Sequence, residues 1–583
     1  MKRSLFIVAA LILTAFGLQA ENISADMARK MAMDFFKSNA STLSVSRLNM
    51  VYDGSGNMAR TSSQAPALYV FDNPDGKGFV IVSGDDIAYP ILGYSFEFDF
   101  PKENIPPHVA WWLEGMEDRI EYGRKTGWEP AITPKRAADN IGSVVKKLET
   151  ALWNQGEPFD RKTPIHGNGH CVTGCTITAT AIVMFYHKYP ERGTGTIPAY
   201  TTDSYSLTVP ERTLGHSYEW DKMLDEYSYG SYSDEQANAV ATLMADLGHM
   251  LEADYSYSGT GASTSIIPHR LSTYLYYHKG ALDMRRSDYV NEEWYNMLQN
   301  EIDNNRPVIY SGFNDYSGHA FVLDGYTSED YFSVNWGWGG SYNGYFLLDA
   351  LSPSGSGIGG NNDHYNFDQK AVVGLKPEAG GEYVQKLSFG EKGMSILPDY
   401  PFTDREVTFI TDEVASSGSV AFTGFMKWCL VDKDGVLKQD IQTLKVTELE
   451  PGWRYKDLRV SLNASEPIKK GDRVRMYYQK KGESEWVLMK GGEECVWDLV
   501  LIEDIPLDES TQLCYNRVDK ILKITTVAGV DVGFYSPGSV DLSSMCQSDG
   551  LVTTINTSDL SAGTYKLVLT DGTESVSVNI KLN

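Results

Sequence analysis

The chain has 583 residues, with 51 Lys and Arg against 77 Asp and Glu and a formal net charge of −26. No compensating basic block appears, so its charge argues against binding nucleic acid or an anionic membrane. Twelve Trp, 35 Tyr and 53 Gly describe a large aromatic core with many tight turns and exclude a disordered chain.

At about 150 residues per domain the length suits three or four domains. Lys2 and Arg3 precede an apolar run, Leu5–Phe16, that ends in Leu18-Gln19-Ala20. The spacing predicts a secretory signal peptide over residues 1–20. The run is too short for a comfortable membrane span and no second run reaches about 20 apolar residues, so the expectation is a secreted or cell-surface protein with no stable membrane span.

Residues 21–140 read as a small α+β domain. It has a helix at Ser24–Asn39, strands at Ala67–Phe71 and Gly78–Ser83, and a Trp-bearing helix around His108–Thr126. The polar stretch Glu129–Lys147, with Pro130 and Pro134, reads as an exposed linker. A small domain, a cleavable linker and a larger domain in an exported chain fit a zymogen, and an ordinary N-terminal domain fits equally well.

Residues 141–377 carry helical patterns from Cys175 and over Asp234–Leu251. Strands follow at Val308–Gly312, His319–Tyr326, Tyr331–Trp336 and Gly344–Asp349. Helices first and strands later predict an α+β domain with two unlike halves. Residues 380–505 and 506–583 change to strand patterns, among them Arg405–Ile410, Arg473–Gln479 and Trp497–Ile502, and predict β-sandwich modules. Thr564–Leu569 and Ser575–Leu582 around Asp571-Gly572 read as a closing hairpin.

The six cysteines, Cys171, Cys175, Cys429, Cys495, Cys514 and Cys546, are too sparse for a disulfide scaffold, and any pairing among the last four is not deducible from sequence. Cys175 stands apart. It sits where a polar, Gly-containing loop meets the apolar residues Ile177, Ala181, Met184 and Phe185 at helical spacing. A first-turn thiol feels the positive end of the helix dipole, which favours thiolate; a buried structural cysteine is the competing reading.

A cysteine nucleophile needs a base, and the base needs a third group to orient it. His319 stands at the mouth of the apolar strand Gly318-His319-Ala320-Phe321-Val322-Leu323-Asp324-Gly325. A turn at Ser328-Glu329-Asp330 returns a second strand, bringing Asn335 alongside His319 to accept its Nδ1–H under the cover of Trp336 or Trp338; an aromatic core turn is the competing reading. A zinc site built from His166, His170, Cys171, Cys175 and His187 lacks the second ligand pair of structural zinc, so no metal and no cofactor is expected. His187 reads instead as a helix-end cation.

Four segments resemble the streptopain family of secreted papain-like cysteine peptidases. They are Trp153–Gly156, Thr173–Ala181 with Tyr186–Pro190, Gly318–Gly325 and Val334–Gly340. Gly78–Asp86, Tyr89–Tyr94 and Trp111–Leu113 resemble the inhibitory pro-domain of that family. The resemblance implies a papain-like domain preceded by an α+β pro-domain at 21–140, with protein or peptide substrates and the chain's own pro-domain as intramolecular inhibitor. It implies Cys175 as nucleophile, His319 as general base and acid, Gln155 as side-chain donor of the oxyanion hole, and Asn335 and Trp336 as the residues that orient and shield His319. Gly318 and the Gly259–Ser263 loop, centred on Gly261, take the place of walls for the substrate backbone. Preference for an apolar residue two positions before the cleaved bond is also implied.

Ile177, Thr178, Ile182-Val183 and Ser311 depart from the family's usual residues without removing a catalytic group. The alternative is an inert peptidase relative that binds surfaces through its C-terminal domains. Such a relative would be expected to lack Cys175, His319 or Gln155, and all three are present.

Overall fold

The computed structural model describes residues 22–40, 45–54, 65–102, 105–126, 141–228, 230–286, 289, 291–313, 318–348, 367–390, 392–397, 405–469, 471–491, 497–501, 503–504, 512–516, 520–525, 531–537, 540–549, 552–561, 563–570 and 575–582. The expected signal segment, residues 129–140 of the expected linker, the Asp571-Gly572 turn and Cys495 lie outside them.

Helix α1 covers Ala25–Asn39, and the Ser24 hydroxyl accepts the Met27 N–H at its start. The strands β1 (Asn49–Tyr52), β2 (Leu68–Asp72), β3 (Phe79–Ser83) and β4 (Ile91–Ser95) follow, then α2 (Pro107–Thr126). Arg124, in the last turn of α2, donates to Asp85 and to the carbonyls of Ala65, Pro66 and Gly84. This fork pins the helix end to the loops before β2 and after β3.

Strand β5 (Val144–Lys147) opens the next segment and corrects the linker reading: four residues assigned to an exposed linker form a strand paired with Gly325–Thr327. Their side chains are mostly exposed, so the apolar pattern gave no sign of the pairing. Helix α3 (Cys175–His187) is buried from Thr176 to Phe185. Helix α4 (Asp234–Met250) begins with a capping box, in which the Ser233 hydroxyl accepts the Gln236 N–H and the Gln236 side chain accepts the Ser233 N–H. Then come α5 (Ile267–Tyr274), β6 (Leu282–Arg285), α6 (Asn291–Asp303), β7 (Val308–Phe313), β8 (Gly318–Thr327), β9 (Phe332–Asn335), β10 (Gly344–Phe346) and β11 (Phe367–Val373).

These strands form one antiparallel sheet in the order β1-β2-β3-β4-β10-β9-β8-β7-β11-β6, with β5 added beside β8. The N-terminal strands therefore continue the sheet of the later domain. The seam is β4 against β10, where Tyr94 faces Tyr345 and Gly93 faces Phe346. Trp112 reinforces it by donating its indole N–H to the Leu347 carbonyl at 3.1 Å, and Tyr331 donates its hydroxyl to the Ile91 carbonyl at 2.8 Å.

Strand alternation sorts the two faces of the sheet. Ile309, Ala320 and Val322 pack with α3, α4 and α5 in one core. Tyr310, Phe321 and Leu323 pack on the other face with Trp111 and Trp112 of α2 and Trp294 of α6. The two unlike halves expected from sequence meet along this sheet.

The C-terminal region is two β-sandwich units. In the first, Glu406–Ser416 pairs with Arg454–Asn463 and Phe422–Val431 pairs with both Leu437–Leu449 and Arg473–Lys480. Trp428, fully buried, donates its indole N–H to Thr411 across the layers at 2.9 Å. The expected strand at Trp497–Ile502 is shorter, Leu499–Val500. The closing hairpin is present as Gly563–Thr570 against Ser575–Leu582.

Candidate active site

Gly174 precedes α3 with φ +90, and a Cβ built on it would lie 2.4 Å from the Thr260 carbonyl oxygen. Both the dihedral and the approach require glycine, and together they turn the chain so that Cys175 becomes the first residue of the helix. Thr178 donates its N–H to the Gly174 carbonyl at 3.0 Å and so closes the first turn. The Thr176 hydroxyl donates to the Ala262 carbonyl at 3.0 Å, tying the 259–263 loop to that turn. Within the loop Gly261 is exposed, and a Cβ there would meet nothing within 4 Å, so its backbone borders open space.

Gln155 reaches the same corner through its backbone. The Thr173 N–H and hydroxyl both donate to its carbonyl, at 3.0 and 3.3 Å. Gln155 is thus tied to the chain two residues before the thiol, and it is 8% exposed. Trp153 is anchored in turn, its indole N–H on the Leu224 carbonyl and its own carbonyl taking the Gly339 N–H.

The strand that carries His319 touches the thiol directly, since the Ala320 N–H donates to Cys175 Sγ at 3.4 Å. The register then decides where the imidazole sits. His319 opposes Gly312 in the β7–β8 pair, and opposed residues present their side chains to one face. A Cβ on Gly312 would lie 2.3 Å from the Trp111 ring. His319 therefore lies on the face that α2 covers, while Ala320 faces α3 and the thiol.

The electrostatics agree with this separation. Burial pushes the Cys175 thiol above its ordinary range against the N–H groups of Ala320 and Thr176, which pull it down. Burial also holds the His319 imidazole down, at about 4. Both shifts favour the neutral forms. The helix-start argument for a thiolate is outweighed here because the packed surroundings penalise charge more than the first-turn amides reward it.

Asn335 is 1% exposed and corrects an expectation: it opposes Val322 in the β8–β9 pair, not His319, and its amide is held by other partners. Its amide nitrogen donates to the Ala151 carbonyl at 2.9 Å and to the Thr150 hydroxyl at 3.0 Å, and its oxygen accepts the Gly337 N–H at 3.1 Å. Trp336 packs between Phe321 and Phe346 at ring distances of 4.7 and 5.3 Å, inside the core shared with α2. Gly318 opens β8 opposite Phe313.

His187 corrects an expectation. It ends α3, yet its Nε2 is buried with no hydrogen-bond partner among the described residues, and burial together with Arg306 brings the ring down to about 4. It is a neutral packed ring, not a cation on the last carbonyls. Sequence reasoning gave no role to Thr150 or Asp324, and placed Trp111 only within a segment resembling the inhibitory pro-domain. A carboxylate inside the apolar run of β8 was the one available sign.

The chain matches the Peptidase C10 family over residues 153–346 and the Spi protease inhibitor family over residues 20–120. It is 36% identical to streptopain of Streptococcus pyogenes over 334 residues, covering 53% of this chain and 81% of streptopain. This chain belongs to the Peptidase C10 family of cysteine peptidases. Within that family it is also 32% identical over 393 residues to the thiol protease/hemagglutinin PrtT of Porphyromonas gingivalis, covering 65% of this chain but only 44% of PrtT. The solved prointerpain A fragment of Prevotella intermedia is 31% identical, covers 56% of this chain and is itself 99% covered, with a TM-score of 0.46. The fold is that of a C10 peptidase with an inhibitor-like N-terminal segment ahead of it. Among the described residues no helix is long and apolar enough to cross a membrane.

Proposed function

We propose that the chain is a secreted cysteine endopeptidase made as a zymogen that activates itself by cutting between its N-terminal segment and its peptidase domain. In this reading residues 1–20 are the signal peptide, 21–140 the inhibitory pro-domain, 141–377 the peptidase, and 380–505 and 506–583 β-sandwich domains of unassigned task. The observation that carries it is the position of Cys175 at the start of α3, touched by the strand of His319 while Trp111 of the N-terminal segment occupies the imidazole's face.

In the active form His319 turns to the thiol and takes its proton. The thiolate attacks the scissile carbonyl carbon, a C–S bond forms, and the carbonyl π pair moves to oxygen. Gln155 and the Cys175 N–H receive that oxyanion, and one such donor is worth about 10²–10³ in rate. Collapse breaks the C–N bond, and the leaving amine takes the proton from His319. Water then gives a proton to His319 and attacks the acyl carbon, and loss of the C–S bond releases the acid and restores the thiol. Asn335 and Trp336 hold and shield the imidazole, and Gly261 and Gly318 border the bound peptide backbone.

The N-terminal segment inhibits by sharing structure with the enzyme. It lends four strands to the peptidase sheet through β4 and β10 and fills the far face with Trp111 and Trp112. The test is hydrolysis of casein by the processed secreted protein. Iodoacetamide should abolish it, and casein cleavage that survives full alkylation of Cys175 would refute the reading.

A further inference from the structure

We propose that Thr150 and Asp324 are positioning residues for the reaction: they fix which way the Asn335 amide faces, and so whether its oxygen can serve His319. The inference rests on the orienting role given to Asn335 above.

A directed chain of hydrogen bonds supports it. The Ala151 carbonyl can only accept, so the Asn335 nitrogen must point toward it, as it does at 2.9 Å. The same nitrogen donates to the Thr150 hydroxyl, which has one proton of its own to give. Thr150 gives that proton to Asp324 Oδ2. Lys147 Nζ lies 2.8 Å from the same oxygen and supplies the countercharge. A carboxylate paired with a lysine accepts and does not donate, so the Thr150 proton cannot turn back toward Asn335. The Asn335 oxygen is thereby left on the side of Gly337, where it accepts one N–H and keeps a second lone pair.

The setting argues against simple packing as the reason for Asp324. It is 2% exposed within an apolar strand, and its Oδ1 meets no hydrogen-bond partner among the described residues. Burying a carboxylate with one oxygen unmet is costly, and a residue kept only for the fold would be better apolar. Asp324 also lies in the strand of His319, and its backbone carbonyl takes the Leu148 N–H at 2.6 Å. The chain therefore links β5, the strand that follows the expected cleavage region, to the residue that orients the base.

In Asp324→Asn the new amide can donate to Thr150. The Thr150 proton is then free to oppose the Asn335 nitrogen, leaving Ala151 alone to hold the orientation. In Thr150→Val the link is cut.

The test uses the processed enzyme from the full chain, carrying Thr150→Val, Thr150→Ser, Asp324→Asn, Asn335→Ala or Thr150→Val with Asn335→Ala. kcat and KM are measured on a short peptide amide. Thr150→Val should lower kcat on the order of tenfold with KM held within about twofold, because orientation matters most in the transition state. Thr150→Ser should restore kcat, and Asp324→Asn should lose at least as much as Thr150→Val. The double variant should be no slower than Asn335→Ala alone.

Normal kcat in Thr150→Val beside an impaired Asn335→Ala would overturn the positioning role and leave the reading of Asn335 standing. Normal kcat in Asn335→Ala would overturn both. If Asp324→Asn is not secreted, the Thr150→Val and Thr150→Ser pair decides.

Discussion

Cys175→Ala should leave the secreted chain at full precursor length and lower casein hydrolysis by about 10⁴-fold or more. The magnitude follows from the role. Removing the sulfur removes the atom that forms the acyl-enzyme, and the oxyanion donors that remain act on no nucleophile. The variant should fold normally, because the site is built by backbone contacts that the substitution keeps: the Gly174 turn, the Thr173 bonds to the Gln155 carbonyl and the Thr176 bond to Ala262. Secreted protein sampled over time by gel and intact mass is the measurement. Processing identical to that of the unaltered chain would show that another peptidase makes the cut and would end the claim of self-activation.

Trp111→Ala should have the second largest effect, in the opposite direction. The ring is 7% exposed and rests against the backbone of Gly312, on the face where the register places His319. Truncating a buried Trp costs about 3–5 kcal/mol. If even about 2.8 kcal/mol of that falls on the docking of the N-terminal segment, the undocked fraction rises about 10²-fold. The precursor should then disappear at least about tenfold faster than the unaltered chain, while the processed enzyme keeps its kcat because Trp111 has been removed from both. Unchanged precursor lifetime would show that the ring is core packing and that latency resides elsewhere in the seam.

Local chemistry was legible in the sequence to the extent that it stays local. Ser24 and the Ser233–Gln236 box cap helices where their residue types predict, and the Gly174–Cys175 step begins a buried helix as its apolar periodicity requires. Neighbouring hairpins were legible, as in β8–β9 and the closing pair, but distant strand partners were not. Tyr94 meets Tyr345 across a separation of some 250 residues, and nothing in the short run Ile91–Ser95 names the edge it will join. β5 was hidden for the same reason, because its pairing is made by backbone while its side chains face water.

The site divided in the same way. Residue types and spacing picked out Cys175, His319 and Asn335 with Trp336 or Trp338, the family resemblance added Gln155 and chose Trp336, and the fold brings their segments to one corner. The state of those groups depends on what covers them. Neutral Cys175 and His319 follow from burial, and the facing of His319 follows from a register set by β7. Likewise, the partners of the Asn335 amide come from Thr150 and Ala151, a segment far from it in sequence.

On the proposed reading the N-terminal segment keeps the imidazole apart from the thiol. The rate of Cys175 alkylation by iodoacetamide as a function of pH tests it most directly, with precursor and processed forms resolved by intact mass and the Cys175 peptide quantified. In the precursor burial holds the thiol above its ordinary range, so the rate should be low at neutral pH and climb only in alkaline solution. In the processed form the thiolate–imidazolium pair should hold the rate on a plateau that extends below neutral pH. An acidic plateau already present in the precursor would mean that His319 pairs with Cys175 while the segment is docked, and would contradict the account.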